Sequence, residues 1–243
     1  VPRPADVQPL RWPEFFGYAT KVFAGSLSII AYSNGNFMIL SLLCSAREAG
    51  IYSVAKIFAD MLLILPSTLA SILIPEMART PSDGAAVRVS ETTRYATAAG
   101  LLMSLGTAAA ATFLIPLAFG AAFRPAVEMC WVLCAGAWMA VIGTVVAIYF
   151  LGKKKPGIPS AANWLGFLVV AALTVALVPR WGGYGAAWAL LLSRVVVAVV
   201  LLICYVRESG ERLANVILIT RRDCRRGYGW FRSVLSRPPA EPM

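Results

Sequence analysis

The chain has 243 residues, of which 59% are hydrophobic and 14% charged, with a mean hydropathy of +0.72. Soluble domains average about 45–50% apolar and about 25% charged residues, so this composition excludes an ordinary water-exposed globular domain. The formal charge of +10 would point to nucleic acid in a soluble protein, but here it is distributed as in a membrane protein. The chain contains no His, which removes the commonest general base and most nucleophile–His arrangements.

Six apolar stretches occur, at residues 21–43, 57–74, 95–119, 127–151, 161–178 and 184–206. Each approaches the ~20 residues that a helix rising ~1.5 Å per residue needs to cross ~30 Å of hydrocarbon. Helices alone satisfy so much backbone in lipid without closing a barrel. The expected fold class is an all-α polytopic membrane protein, with about six transmembrane helices forming one bundle. The expected divisions are a cytoplasmic lead-in at 1–16, the bundle at 17–206 and a basic cytoplasmic tail at 207–243.

Lysine and arginine alternate between the loops. One set of segments holds Arg3, Arg11 and Lys21, then Arg79, Arg88 and Arg94, then Lys153, Lys154 and Lys155, then the arginines from Arg207 to Arg237. The alternate set holds Arg47, Arg124 and Arg180, while Lys56 and Arg194 fall inside spans. The positive-inside rule therefore places both ends in the cytoplasm. The first ten residues carry Pro2, Pro4 and Pro9 and no apolar core of signal-peptide length, so the first span is expected to direct insertion itself.

In chain order, Trp12, Phe15 and Phe16 suit the membrane interface. The first span is expected to be broken by Ser33-Asn34-Gly35-Asn36. The second carries Lys56, Asp60 and Pro66 and ends at Pro75, before a charged cytoplasmic loop at 76–94. The third is rich in Ala and Gly, which lets helices approach closely, and the fourth carries Trp131 and Trp138. Lys153-Lys154-Lys155-Pro156 reads as a cytoplasmic clamp on the next turn, and the fifth span ends at Pro179, Trp181 and the Gly182-Gly183 pair.

Beyond the last span, residues 213–219 are too few to cross. They precede Arg221, Arg222, Arg225 and Arg226, with Tyr228, Trp230 and Phe231 interleaved. That pattern suits anionic lipid headgroups, at ~1 kcal/mol per charge near the surface, with a disordered solubilising tail as the plainer reading. Nucleic acid is not an expected partner. Cys44, Cys130, Cys134, Cys204 and Cys224 show no disulfide framework or metal spacing. Cys44 and Cys130 both fall near the external side. No metal or cofactor is expected.

The intramembrane polar residues are the candidate site. Asn34, Asp60 and Arg194 each lie about 10 residues from an external span end, or roughly 15 Å deep at ~1.5 Å per residue. A charge there costs at least ~2.5–3.5 kcal/mol, so it is expected to face the bundle interior, water or a partner. Lys56 and Asp60 share a helix face at i,i+4 and can neutralise each other. Arg194 has no partner in its own span and can pair with Asp60 across helices. The functional reading is a substrate cavity of Arg194, Lys56, Asp60, Asn34 and Asn36, in which the cations attract an anionic group. The asparagines then serve either a hydroxyl-rich ligand or helix packing.

The chain resembles the C-terminal half of bacterial polysaccharide (O-antigen-type) flippases of the multidrug/oligosaccharidyl-lipid/polysaccharide exporter superfamily. The likeness is carried by Gly50-Ile51-Tyr52-Ser53-Val54-Ala55, Leu65-Pro66, Ile74-Pro75-Glu76 and Phe119-Gly120-Ala121-Ala122-Phe123. It continues through Tyr149-Phe150-Leu151-Gly152-Lys153-Lys154, Val178-Pro179 and Gly182-Gly183-Tyr184-Gly185-Ala186-Ala187-Trp188-Ala189, so that it covers about residues 15–206.

The resemblance implies one half of a two-bundle, alternating-access fold around a cationic cavity, with a second six-helix half as partner. It implies a polyprenyl-pyrophosphate-linked oligosaccharide as cargo, a bacterial cytoplasmic membrane, no enzymatic activity, and energy from an ion gradient or from cargo consumption outside. At a position where relatives often carry an acidic residue, this chain has Asn34 and Asn36. A multidrug-type antiporter of the same superfamily, or a non-transporting remnant or scaffold, are the alternatives. The antiporter calls for more intramembrane carboxylates than Asp60 provides.

Overall fold

A computed structural model describes residues 12–79, 82–153 and 155–210. Most of the expected lead-in and nearly all of the expected basic tail, with its lipid-binding pattern, lie outside these residues. Among the described residues there are helices and no strands. They are α1 (Trp12–Leu43), α2 (Ala46–Asp60), α3 (Ile64–Arg79), α4 (Ser82–Phe119), α5 (Arg124–Gly152) and α6 (Gly157–Ser209). The protein is an all-α polytopic membrane protein, with five described helical segments long and apolar enough to cross a bilayer.

The sixth crossing is contained in the fifth of these segments. At ~1.5 Å per residue a helix of 53 residues would run about 80 Å, more than twice the hydrocarbon thickness. It folds back at Gly182, whose φ of 53° and ψ of −137° are non-helical. Contacts across the fold are antiparallel: Ser193 Oγ donates to the Gly166 carbonyl at 2.7 Å, and Gly185 lies against the Leu177 backbone. Pro179 precedes the fold, and Gly182 supplies the positive φ that a side chain would resist. The expected spans at 161–178 and 184–206 are thus the two limbs of α6.

Two expectations about the first two spans change. α1 is continuous through Ser33–Asn36, because Asn36 and Gly35 are packed against neighbouring helices and the polar run needs no solvent. The interruption lies in the second span, where α2 passes into a 3-10 turn, Met61–Leu63, before α3. Pro66 sits in the first turn of α3, where its missing N–H is tolerated. That span also starts earlier than residue 57, because Ser45 caps α2. Its side chain accepts from the Glu48 N–H while Glu48 lies in the first turn, favourable to the helix dipole. The expected loop at 76–94 is largely helical, with α3 reaching Arg79 and α4 starting at Ser82.

Two large apolar clusters and a small one of Ala96, Val141 and Val145 lie among the described residues; the two large ones fill most of the bundle. One gathers Leu40, Tyr52, Leu133, Val170 and Leu190 from α1, α2, α5 and both limbs of α6; the other gathers Val89, Val146, Tyr149, Leu201 and Tyr205. At the end assigned to the cytoplasm, the Ser90 and Tyr205 hydroxyls lie 2.9 Å apart, and the Tyr149 and Tyr205 rings meet edge to face at 4.9 Å. Lys155 Nζ pairs with Glu208 Oε1 at 2.8 Å and Lys153 at 3.7 Å, so the lysine run ties the α5–α6 connection to the end of α6. Lys153 also donates to the Tyr149 hydroxyl, and that bond, outweighing partial burial, raises its pKa.

A Cβ on Gly185 would stand 2.6 Å from the Leu177 carbonyl oxygen, and backbone cannot move aside as a flexible side chain does. Gly185→Ala is expected to destabilise the fold by ~1–3 kcal/mol, as overpacking does. Gly106→Ala, where a Cβ meets nothing within 4 Å, is expected to be neutral or slightly stabilising. Thermal unfolding of the detergent-purified protein checks the pair, and equal midpoints would contradict the close α6 fold-back.

Candidate functional site

The charged residues expected in the membrane do meet. Asp60 uses both carboxylate oxygens: Oδ2 pairs with Lys56 Nζ one turn back on α2, and Oδ1 lies 3.4 Å from Arg194 Nη2 on the return limb of α6. The i,i+4 spacing alone brings Lys56 to Asp60, whereas Arg194 arrives only because α6 folds back. One carboxylate serves two cations, so the triad carries a formal charge of +1.

Burial divides the three. Arg194 is 4% exposed, while Asp60 is 32% and Lys56 15% exposed. The Arg194 stem passes Gly136 of α5, where a Cβ would lie 3.3 Å from the Leu191 Cα and 3.4 Å from the Arg194 Cδ, so the two helices approach closely here. Arg194 Nη1 is buried and has no hydrogen-bond partner among the described residues. In a low-dielectric interior such a donor is costly, and an acceptor supplied from outside the chain would relieve it. Arg194 also stands between the two apolar clusters, with Leu190 in one and Val197 in the other.

The asparagines part company. Asn36 is fully buried and bonded at both amide atoms: its Nδ2 donates to Thr174 Oγ1 and to the Ala186 carbonyl, each at 3.0 Å, and its Oδ1 accepts from the Tyr52 hydroxyl at 2.6 Å. It joins α1, α2 and both limbs of α6 with both amide protons engaged, which is the packing role. Asn34, two residues earlier and so on the opposite face, is exposed and donates to the Ile30 carbonyl of its own helix at 3.3 Å. The structure therefore brings Lys56, Asp60 and Arg194 together, places Asn36 in the adjoining packing network, and leaves Asn34 apart. Sequence reasoning missed Tyr52 and Thr174. A Thr in an apolar span was the available signal, but its partner is 138 residues away.

The four described cysteines are free. Cys130 and Cys134 approach to 3.8 Å between sulfurs, both buried. Cys44 lies in the connection between α1 and α2. Burial, reinforced by the neighbouring Glu48 carboxylate, pushes its thiol up to about 11. Among the described residues no group of three or more His, Cys, Asp or Glu is placed to hold a metal ion.

The family model described as "Polysaccharide biosynthesis protein" matches residues 6–128, just over half of the chain. The chain belongs to the polysaccharide biosynthesis protein family. None of the curated proteins matches it.

Two solved structures share its fold. One is a MOP superfamily transporter from Pyrococcus furiosus Vc1, described as having a reverse-polarity binding pocket that suggests a different function. It has a TM-score of 0.64 and 22% identity, over 84% of this chain and 46% of that one. The other is a multidrug resistance MATE family transporter of the MOP superfamily in an outward-facing conformation, with a TM-score of 0.64 and 20% identity, over 85% of this chain and 48% of that one. The chain spans about half the length of these transporters.

Removing the shared anion strands both cations, one of them nearly fully buried. Asp60→Asn is expected to destabilise the protein by ~1–3 kcal/mol, below the full buried-pair penalty because Asp60 is partly exposed. Lys56→Met leaves the Asp60–Arg194 contact and is expected to cost ~0–1 kcal/mol. Thermal melts of the two variants in detergent decide; equal losses would mean that Arg194 does not depend on Asp60.

Proposed function

We propose that the chain forms one half of a flippase that moves polyprenyl-pyrophosphate-linked oligosaccharide across the bacterial cytoplasmic membrane for polysaccharide biosynthesis. The observation that carries the proposal is the mid-membrane triad with its surplus positive charge and the unsatisfied Arg194 Nη1. A pyrophosphate offers several acceptor oxygens and negative charge, which is the chemistry this guanidinium lacks. Charge-assisted bonds of Arg to phosphate oxygens are among the stronger hydrogen bonds available in a protein. Membership of the polysaccharide biosynthesis family and the shared MOP transporter fold support the same reading.

In this mechanism Asp60 holds the cations while the site is empty. The incoming anion competes for Arg194, and on release Asp60 recovers it. Binding energy is thus exchanged between two anions, and Arg194 keeps a negative partner at every stage. No bond in the cargo is made or broken, so the protein is not an enzyme. The fold of its structural neighbours, about twice the length of this chain, supports a second bundle as partner, on a separate chain or in a longer protein. The basic segment at residues 207–243 supplies cations for anionic lipid on the cytoplasmic side. A cation antiporter is the poorer fit, because an organic cation would meet the Arg194 and Lys56 charges with a single carboxylate already engaged by both.

Arg194→Ala is expected to lower export of surface polysaccharide at least about tenfold in a strain that depends on this chain, because it removes a charge-assisted contact. Membrane levels should stay unchanged, and Arg194→Lys should restore part of the activity. Full export by Arg194→Ala at wild-type protein levels would reject the anion-binding role.

A further inference from the structure

The inner half of the second span has an inverted polarity that the triad does not use. Between Ile64 and Ser71 of α3, the exposed side chains are Ile64, Ser67, Thr68 and Ser71. The opposite side is apolar: Pro66 is buried, and Leu69 and Ala70 pack against the inner apolar cluster. α4 shows the reverse pattern expected of a lipid-facing helix, with Leu102 72% and Leu117 81% exposed. After Ile64, which is 63% exposed, the outward face of α3 is made of hydroxyls as far as Ser71, and hydroxyls outside an apolar inward face are the pattern of a surface that meets water or polar cargo.

The hydroxyls also have a direction. Ser67 Oγ donates to the Ile64 carbonyl at 2.7 Å, Thr68 Oγ1 to the same carbonyl at 2.9 Å, and Ser71 Oγ to the Thr68 carbonyl at 2.8 Å. Each proton is engaged within the helix, which leaves the oxygen lone pairs outward. With the protons held this way, the face offers acceptors to an incoming group. A phosphate, itself an acceptor, gains nothing there, whereas a chain of sugar hydroxyls does.

We propose that Ser67, Thr68 and Ser71 form a glycan subsite along α3, separate from the anion contact at Arg194. At ~1.5 Å per residue, Ser71 lies roughly 16 Å along the span from Asp60, toward the end assigned to the cytoplasm. A headgroup whose phosphates sit at the triad would then lay its sugars against these hydroxyls. The choice of glycan as occupant rests on the proposed function. The polarity of the face does not.

Two measurements on the full chain in lipid nanodiscs test the subsite. In the first, the single variants Ser67→Cys and Ser71→Cys are labelled with a membrane-impermeant, charged methanethiosulfonate. They are expected to react at least about tenfold faster than Leu102→Cys, because thiolate forms in water and not in lipid. Equal, slow labelling would place the hydroxyl face in lipid and overturn the subsite.

The second compares binding of farnesyl pyrophosphate with binding of the same lipid carrying a disaccharide. The triple variant Ser67→Ala, Thr68→Val, Ser71→Ala is expected to bind the glycosylated probe about tenfold more weakly, as the loss of several hydrogen bonds would give, and the bare probe unchanged. An equal effect on both probes, or none on either, overturns the proposal. Arg194→Ala is expected to weaken both probes. If it weakens neither, the pyrophosphate reading fails while the triple variant still judges the glycan face.

Discussion

A carboxylate shared between two cations organises the middle of this bundle. Charges are costly in hydrocarbon, and Asp60 offsets that cost for Lys56 with one oxygen and for Arg194 with the other. The sharing is incomplete, since two positive groups face one negative group and a guanidinium nitrogen has no acceptor. An interior that is one anion short fits the proposed uptake of anionic cargo.

The rest of the architecture serves to bring Arg194 to Asp60. The α6 fold-back at Gly182 returns the chain through the membrane, and Ser193 fixes the register of the two limbs through the Gly166 carbonyl. Asn36 then joins α1 and α2 to both limbs with three hydrogen bonds. Small residues make these approaches possible: Gly35 faces the Phe167 ring, Gly166 faces Tyr32 and Val197, and Gly136 makes room for the Arg194 stem. Interhelical hydrogen bonds and close contact of small residues are the forces available where lipid removes the hydrophobic drive between helices.

Much of this was legible in the sequence, and what was not has a physical cause. Length and hydropathy revealed the membrane class and the crossings because the bilayer thickness sets both. The i,i+4 spacing revealed the Lys56–Asp60 pair, and depth placed Arg194 at their level. Azimuth was hidden: nothing local distinguishes Asn34 from Asn36, yet one is turned outward and the other is locked between helices. Polar character suggested a break in α1, but tertiary hydrogen bonds satisfied Asn36 and kept the helix intact. The actual break followed from backbone chemistry at Pro66, and Tyr52 and Thr174 could be found only from contacts far apart in the chain.

That break has a mechanical consequence. Pro66 has no N–H, so the Leu62 carbonyl one turn earlier is without its usual helical donor, and the 3-10 turn at Met61–Leu63 has already replaced α-helical bonds there. Bending at this point costs fewer hydrogen bonds than bending elsewhere in the span. Asp60 is the residue just before it. A change in what the carboxylate holds is therefore applied at the most compliant joint of the second span, and a small displacement at the triad can become a larger swing at the far end of α3.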